Sequence, residues 1–324
     1  LAGANCGGCG YPGCGGCAAL SDRVILVLDT RGHLAASVKE GAGQTGRADE
    51  ASFADICPGV RVEARRAGNG WHPVFGSYVG AWVGEAADDA VRLAGSSAGV
   101  LTAITDWLVK TGQVRKAVLA GASKEDPYRS EAVVARDRNG VLTSAGSRYA
   151  PVSTLAAHDR GAESALVGRP CEASALRALT DGVRGLGSAP PILSFFCAGM
   201  PSQHGTSSVL RALGVKPEEV RALRYRGNGW PGEFTVETED GNTKRMSYEE
   251  SWGNHLGRNL PWRCKICPDG TGGAADISVG DYWQADSRGF PLFEDSDGRS
   301  VVIARTARGL DLVERALADG VLRL

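Results

Sequence analysis

The sequence predicts an α/β fold in which a mixed-sheet domain follows a small cysteine-rich N-terminal segment. Three observations predict it. From Glu85 onward, short apolar runs rich in β-branched residues alternate with stretches of helical spacing, which is the order of βαβ units. Other pairs of runs are joined by tight polar turns, which adds antiparallel hairpins to the sheet. Leu1 to Leu20, by contrast, is mostly Gly, Ala and Cys, with too few large apolar side chains to bury a face. Something other than a hydrophobic core must order it.

Taken in order, Arg23 to Leu28 reads as a strand, Asp29 to Gly32 as its turn and Leu34 to Val38 as the return strand. Lys39 to Ala51 is Gly-rich and polar and reads as a loop. A boundary near Val60 to Ala64 divides the chain into residues 1–60 and 61–324. In the second part Glu85 to Leu93 reads as a helix. Ser96-Ser97 then offers an N-cap to a helix carrying Val100, Leu101, Ile104, Trp107 and Leu108, closed by Gly112. Strands are expected at Lys116 to Ala120 and Ala132 to Arg136. Ala165 to Gly168, a helix over Glu172 to Leu179 and a strand over Ile192 to Phe196 have the length and order of a βαβ unit. A short helix follows at Ser207 to Leu213. Arg221 to Tyr225 and Glu233 to Thr238, with Asp240-Gly241 as a turn, suggest antiparallel strands. The C-terminus is read as a strand over Val301 to Arg305, a helix over Leu310 to Asp319 with Gly320 at C′, and a last short strand. Gly-Asn-Gly-Trp occurs at Gly68 to Trp71 and again at Gly227 to Trp230, but with different flanks, so it marks no repeat.

Composition excludes several function classes. With 324 residues, 43% hydrophobic and 23% charged, the chain falls in the globular range rather than among disordered, collagen-like or coiled-coil sequences. A formal net charge of −1 gives no broad electrostatic grip on nucleic acid or anionic lipid. No run approaches the ~20 apolar residues of a spanning helix, and Pro191 to Met200 is half that length and interrupted by Ser194. No charged n-region and apolar h-region open the sequence, so a soluble cytoplasmic protein is expected.

The informative number is nine cysteines. Five of them form the run Cys6-x2-Cys9-x4-Cys14-x2-Cys17 and the later Cys57-Pro58. Iron–sulfur clusters are held by thiolates on tight loops whose amides point at the sulfides, and Gly-rich spacing supplies such loops. Proline after a final ligand turns the chain away from the cluster. A cluster also explains how a segment poor in apolar residues is ordered. A structural zinc knot is the alternative, since it too uses C-x2-C pairs. Four cysteines remain, Cys171, Cys197, Cys264 and Cys267, the number one cluster or one zinc needs. Cys264-x2-Cys267 is a ligand pair, Cys171 opens a predicted helix where the N-terminal dipole favours a thiolate, and Cys197 ends a predicted strand at the edge where α/β sheets place their sites.

Ala94 to Gly99 opens a helix with small residues and the hydroxyls of Ser96 and Ser97, a design that admits a phosphate to backbone amides or simply caps the helix. Ser144 to Tyr149 adds hydroxyls, the Arg148 guanidinium and the Tyr149 ring, suited to an anion and a flat cofactor, or to an ordinary loop. Neither a Walker A sequence nor Gly-x-Gly-x-x-Gly is present, and no Gly-x-Ser-x-Gly nucleophile setting occurs. His33, His72, His158, His204 and His255 show no paired ligand spacing.

Four ordered motifs carry a family resemblance: Gly168-Arg169-Pro170-Cys171-Glu172 with Ala175-Leu176; Phe196 to Ser202 with Gly205-Thr206; Tyr225 to Gly232; and Arg263 to Asp269 with Ala275 to Asp281. Together they resemble the β subunit family of coenzyme F420 hydrogenases and dehydrogenases, which also contains ferredoxin-dependent chlorophyll-type reductases. The resemblance runs, with gaps, from about Cys14 to the C-terminus. It implies an iron–sulfur flavoprotein oxidoreductase with FAD and one or two 4Fe-4S clusters, and with deazaflavin F420 or ferredoxin as redox partner. It further implies that Ser96, Ser97, Gly99, Gly146, Ser147, Arg148 and Tyr149 contact the flavin, and that Cys171, Cys197, Cys264 and Cys267 hold the nearby cluster. The N-terminus departs from the family's usual C-x2-C-x2-C, because Tyr11 stands three positions before Cys14. Cys9 to Cys14 is similar instead to the cluster loop of electron-transport complex B subunits. Cys9, Cys14, Cys17 and Cys57 are the favoured N-terminal ligands, with Cys6 as substitute. No catalytic residue or organic substrate is named by these motifs, and a homo-oligomer or complex subunit is compatible with them. The competing functional classes are a non-catalytic subunit that wires electrons within a larger complex and a zinc-stabilised binding protein.

Overall fold

In a computed structural model, the structure describes residues 13–41, 53–63, 70–183 and 189–324. Cys6 and Cys9, and all but residues 39–41 of the loop expected over Lys39 to Ala51, lie outside them. Among the described residues no helix is long and apolar enough to cross a membrane.

An eight-stranded mixed sheet organises the body. Its centre is parallel: β6 (Lys116–Ala122), β8 (Ser164–Gly168), β9 (Ile192–Phe195) and β13 (Ile277–Asp281) lie side by side in the spatial order β13-β9-β8-β6. Antiparallel strands extend it on both sides. β7 (Ser130–Ala135) pairs with β6, while β14 (Ser300–Ala304), β5 (Gly80–Ala86) and β15 (Leu322–Arg323) follow β13. Every residue of β8 is buried, as is β13 up to Gly280, which is what helices on both faces of a parallel core require. The βαβ unit read from the sequence is present, with α5 (Pro170–Ala178) crossing between β8 and β9. A separate antiparallel sheet, β10 (Val220–Arg224), β11 (Glu233–Thr238) and β12 (Thr243–Ser247), packs its own core around Tyr225, Phe234 and Val236.

The expected hairpin forms as β1 (Val24–Leu28) and β2 (Leu34–Val38), in register from Val24↔Val38 to Leu28↔Leu34, and a second, shorter one pairs β3 (Gly70–His72) with β4 (Gly76–Tyr78). Before it, α1 (Gly16–Leu20) packs with Phe53 and Ile56 against Leu155, Leu166 and Leu176 of the body. Gly15 and Gly16 permit this approach: a Cβ on Gly15, whose φ is +75°, would stand 2.2 Å from Ser153 Oγ, and one on Gly16 3.0 Å from Ala175 Cβ.

Several boundaries differ from the sequence reading. Glu85 and Ala86 end strand β5 rather than begin a helix; α2 (Asp89–Ala94) starts only after Asp88, whose carboxylate accepts from Ala90 N and Val91 N at 2.9 and 3.3 Å. The following helix, α3 (Val100–Lys110), is entered through Gly99 at φ +69°, not capped by Ser96 or Ser97. A Cβ on Gly99 would lie 2.5 Å from Val91 O, so only glycine lets the chain turn this tightly behind α2. α6 (Gln203–Ala212) begins four residues before the expected Ser207. The last helix, α9 (Ala307–Ala318), begins earlier than expected because the Thr306 hydroxyl accepts from Gly309 N at 3.0 Å. Between α6 and α9 lie two short α-helices, α7 (Tyr248–Glu250) and α8 (Trp262–Lys265), and α4 (Arg138–Thr143) precedes β8.

Asp276 fastens the core at the point where these elements meet. Its carboxylate, 2% exposed, accepts from Arg177 Nη2 at 2.9 Å, Ile192 N at 3.0 Å and Thr306 Oγ1 at 2.8 Å, and its carbonyl takes Arg305 N at 2.8 Å. It thus ties α5, β9, β14 and the start of α9 to β13. Gly309 is pressed against it, since a Cβ there would fall 1.9 Å from Asp276 O. Removing one partner of a buried ion pair strands the other charge. Asp276→Ala is therefore expected to lower the unfolding free energy by about 3–5 kcal/mol, read from the midpoint and slope of urea denaturation; an unchanged midpoint contradicts the assignment.

Candidate functional site

The parallel strands β8, β9 and β13 end at one edge of the sheet, and their ends carry the chemistry. Gly168 closes β8 and is followed by Arg169, Pro170 and Cys171; Phe195 closes β9 and is followed by Phe196 and Cys197; Gly280 and Asp281 close β13. The register Gly168↔Ser194 and Phe195↔Val279 brings these ends level. This is where open α/β sheets place ligands, because the loops leaving parallel strands diverge there.

A cavity of about 520 Å³ opens at that edge. Its walls include Ser96, Ser97 and Gly99 from the turn before α3, Gly146, Ser147, Arg148 and Tyr149 from the loop after α4, and Cys197 from the end of β9. All seven residues attributed to flavin contact therefore line one space. The two loops are also joined directly, Ser147 Oγ donating to Ser96 Oγ at 2.7 Å, while Ser97 Oγ donates to Arg299 O at 2.6 Å. Gly146 sits at φ +95°, and a Cβ there would meet Arg224 Nη1 and Arg226 O at 2.8 Å. Arg148 directs its donors into the wall: Nε to Ser130 Oγ at 3.0 Å, Nη1 to Leu223 O at 2.8 Å and Nη2 to Arg129 O at 2.9 Å. Burial pulls its pKa down from the usual arginine value. Tyr149 packs edge-on to Trp252, with ring centres 5.0 Å apart.

The cysteines gather beside the cavity. The Cys197 thiol is pushed up to about 11 by burial, against the lowering effect of Arg169, with Cys264 and Cys267 close enough to oppose its ionisation further. The Cys171 thiol is raised well above the ordinary range, again mainly by burial, with Cys14 and Cys197 contributing. Cys264 is raised in the same way, its backbone hydrogen bond to Met200 and nearby Arg169 working against the shift. Cys171, Cys197, Cys264 and Cys267, dispersed over 97 positions of sequence, thus share one neighbourhood, and Cys14 from the N-terminal segment adjoins it through Cys171. Among the described residues no group of three or more His, Cys, Asp or Glu side chains is already arranged to hold a metal ion.

Local structure explains the gathering. Asp269 accepts from the amides of Thr271, Gly272 and Gly273 at 2.8–3.2 Å, turning the chain after Cys267 so that Gly270 O receives Cys197 N at 2.8 Å. Gly199, at φ +123°, lets the chain after Cys197 pass 3.1 Å from Cys264 Cβ as measured from the Cβ it lacks. Arg169 stands among the thiols. Its burial opposes the charge, but Glu172, Cys171 and Cys197 raise its pKa above the ordinary arginine value. It donates to Glu172 Oε2 at 2.9 Å, Val152 O at 2.8 Å and Gly13 O at 2.6 Å.

Two wall residues fall within the motifs yet were not singled out as site residues: Arg226 and Asp281, which pair at 2.5 Å on the cavity wall beside Tyr248 and Trp283. The sequence signal for them is the glycine-dense run after Arg226, in which Gly227, Asn228, Gly229 and Gly232 all take positive φ and fold the loop back under the guanidinium. His33, His72, His158, His204 and His255 do not line the cavity.

Comparison with known proteins identifies the family. The model for the N-terminal part of the coenzyme F420 hydrogenase/dehydrogenase beta subunit matches residues 81–158, and that for its C-terminal part matches residues 161–324. The chain is 26% identical over 257 residues to the coenzyme F420 hydrogenase subunit beta of Methanococcus voltae, covering 76% of this chain and 84% of that protein. It is 25% identical over 259 residues to the subunit of the same name from Methanothermobacter thermautotrophicus, with the same coverage of 76% and 84%. It is also 25% identical over 248 residues to a coenzyme F420-dependent sulfite reductase of Methanocaldococcus jannaschii, matching 70% of this chain but only 36% of that protein. Among solved structures, a chain of the F420-reducing [NiFe] hydrogenase complex from Methanosarcina barkeri shares the fold, with a TM-score of 0.59 at 22% identity over 78% of this chain and 83% of that one. Two family models that together span most of the chain, and whose matched residues contain the cavity and the body cysteines, place it: the chain belongs to the coenzyme F420 hydrogenase/dehydrogenase beta subunit family.

Proposed function

We propose that this protein is an iron–sulfur flavoprotein oxidoreductase that exchanges electrons between FAD and 4Fe-4S clusters, with deazaflavin F420 or ferredoxin as its redox partner. The observation that carries the reading is that Cys197 lines the same cavity as Ser96 to Gly99 and Gly146 to Tyr149 while its thiol neighbours Cys264 and Cys267. A flavin bound there supplies the conversion between two-electron hydride transfer and single-electron transfer.

The residues fit such a group. The amides opening α3, reached through the Gly99 turn, and the hydroxyls of Ser96 and Ser147 suit phosphate oxygens. Tyr149, Phe195 and Phe196 present apolar walls to a flat ring. Arg148 fixes the loop that carries Gly146 and Ser147 through its three wall bonds. Cys171, Cys197, Cys264 and Cys267 would hold the cluster nearest the flavin, and Cys14, Cys17 and Cys57 with Cys9 or Cys6 a second. Burial of Arg169 beside the first set places a fixed positive charge where four thiolates accumulate negative charge. Cys14 lies close enough to Cys171 to oppose its ionisation, which suits an electron path between the two sets.

A second reading, a subunit that wires electrons without its own hydride chemistry, is favoured by the subunit names of the relatives from Methanococcus voltae and Methanothermobacter thermautotrophicus. Anaerobic reduction decides between them. Protein carrying flavin and iron is expected to show flavin bleaching on addition of reduced deazaflavin or reduced ferredoxin; bleaching by neither leaves the wiring subunit. At the residue level, Cys264→Ser is expected to lose about four iron atoms per chain and keep the rest, by colorimetric iron analysis after anaerobic reconstitution. Unchanged iron removes the cluster assigned to Cys171, Cys197, Cys264 and Cys267. Because burial keeps Cys171, Cys197 and Cys264 protonated below their raised pKa values, ligation must displace their protons. Loading with ferrous iron, sulfide and two equivalents of a one-electron oxidant such as ferricyanide at about pH 8, below the ordinary thiol value, should release at least about seven more protons from the wild type than from a variant with these three cysteines changed to serine, one from each of the three thiols and one from each of four hydrosulfide ions. Equal release in a weakly buffered pH-stat contradicts their role as ligands.

A further inference from the structure

Arg226 is 1% exposed and sits over three rings, its guanidinium carbon 4.5 Å from the centre of Tyr248, 4.8 Å from Trp230 and 5.2 Å from Trp283. These rings cover the guanidinium, leaving its N–H edge for polar contact. Along that edge Nε donates to Pro231 O at 2.6 Å and Nη1 to Asp281 Oδ2 at 2.5 Å, but Nη2 is buried with no hydrogen-bond partner. A buried donor left unpaired at a cavity wall marks a place where a ligand supplies the acceptor. Asp281 beside it is 27% exposed, also lines the cavity, and has acceptor capacity beyond the one bond to Nη1.

The wall therefore offers a donor next to an acceptor, bordered by aromatic rings. A simple anion would meet Asp281 and a simple cation would meet Arg226, so neither suits the pair. A neutral planar ring with a carbonyl next to an N–H satisfies both. We propose, resting on the flavoprotein reading above, that the Arg226–Asp281 pair recognises the pyrimidinedione edge of a tricyclic ring, Arg226 Nη2 donating to the C2 carbonyl and Asp281 accepting from N3–H. Flavins and deazaflavins share this edge.

The test uses chemical probes as well as a variant, because Arg226 is too deeply packed for its substitution to be informative alone. Binding of lumiflavin and 3-methyllumiflavin to the flavin-free protein is followed by quenching of probe fluorescence, and binding of 5-deazariboflavin to the FAD-loaded protein in the same way. Wild-type protein is expected to bind lumiflavin at least about tenfold more tightly than the 3-methyl compound, the value of one charge-assisted hydrogen bond. Asp281→Ala should bring the two within about twofold. Loss of discrimination there assigns the edge to the resident flavin. If Asp281→Ala instead weakens only 5-deazariboflavin on the FAD-loaded protein, the edge belongs to the second ring and the proposal again stands. Equal wild-type binding of both lumiflavins, with 5-deazariboflavin unaffected by Asp281→Ala, overturns the proposal alone. Binding of no flavin and no deazaflavin overturns the flavoprotein reading and this inference together.

Discussion

The buried ion pair between Arg169 and Glu172 is the interaction on which the site depends. Both side chains are almost wholly removed from water, so the pair is tolerable only if every remaining polar atom finds a partner. Those partners come from four parts of the chain: Gly13 before the first helix, the 152–155 turn, the start of α5 and the Met200 loop after Cys197. Satisfying one buried charge pair thus brings Cys14, Cys171 and Cys197 into one neighbourhood. Glu172 also accepts from Arg169 N at 2.9 Å, which fixes the first turn of α5 and the position of Cys171 within it.

A second constraint is the level ending of three parallel strands. Strands in register must deliver their C-terminal loops to the same edge, and here those loops carry Arg169, Cys197 and Asp281. Asp276, at the opposite end of β13, holds the register by bonding Ile192 N and Arg177. The fold therefore fastens one end of the sheet with a satisfied buried carboxylate and leaves the other end open for a ligand. That division is common to stable frameworks that carry exposed chemistry on their loops.

Much of this was legible in the sequence, for reasons that are local. The hairpin over Arg23 to Val38, the βαβ unit and the antiparallel strands β10 and β11 follow from side-chain period and turn residues separated by a few positions. The end of strand β5 reads as helix because its buried positions are Gly84 and Ala86, residues too small to announce a buried face. The starts of α2 and α9 were misplaced because each is set by one capping side chain, Asp88 or Thr306, whose bond exists only once the preceding strand has ended.

Local pattern is what the sequence shows directly: C-x2-C pairs, a Gly-rich turn before a helix and hydroxyl-bearing loops are contiguous, and contiguous spacing constrains geometry through the backbone alone. Tertiary structure alone decided which of those pieces face one another. Cys171, Cys197 and Cys264 are far apart in sequence, and Arg226 meets Trp230, Tyr248, Asp281 and Trp283 from separate segments. No local rule encodes such pairings. They arise because the sheet order is set by burying apolar area across the whole domain, and the polar atoms carried along must then be satisfied where they land.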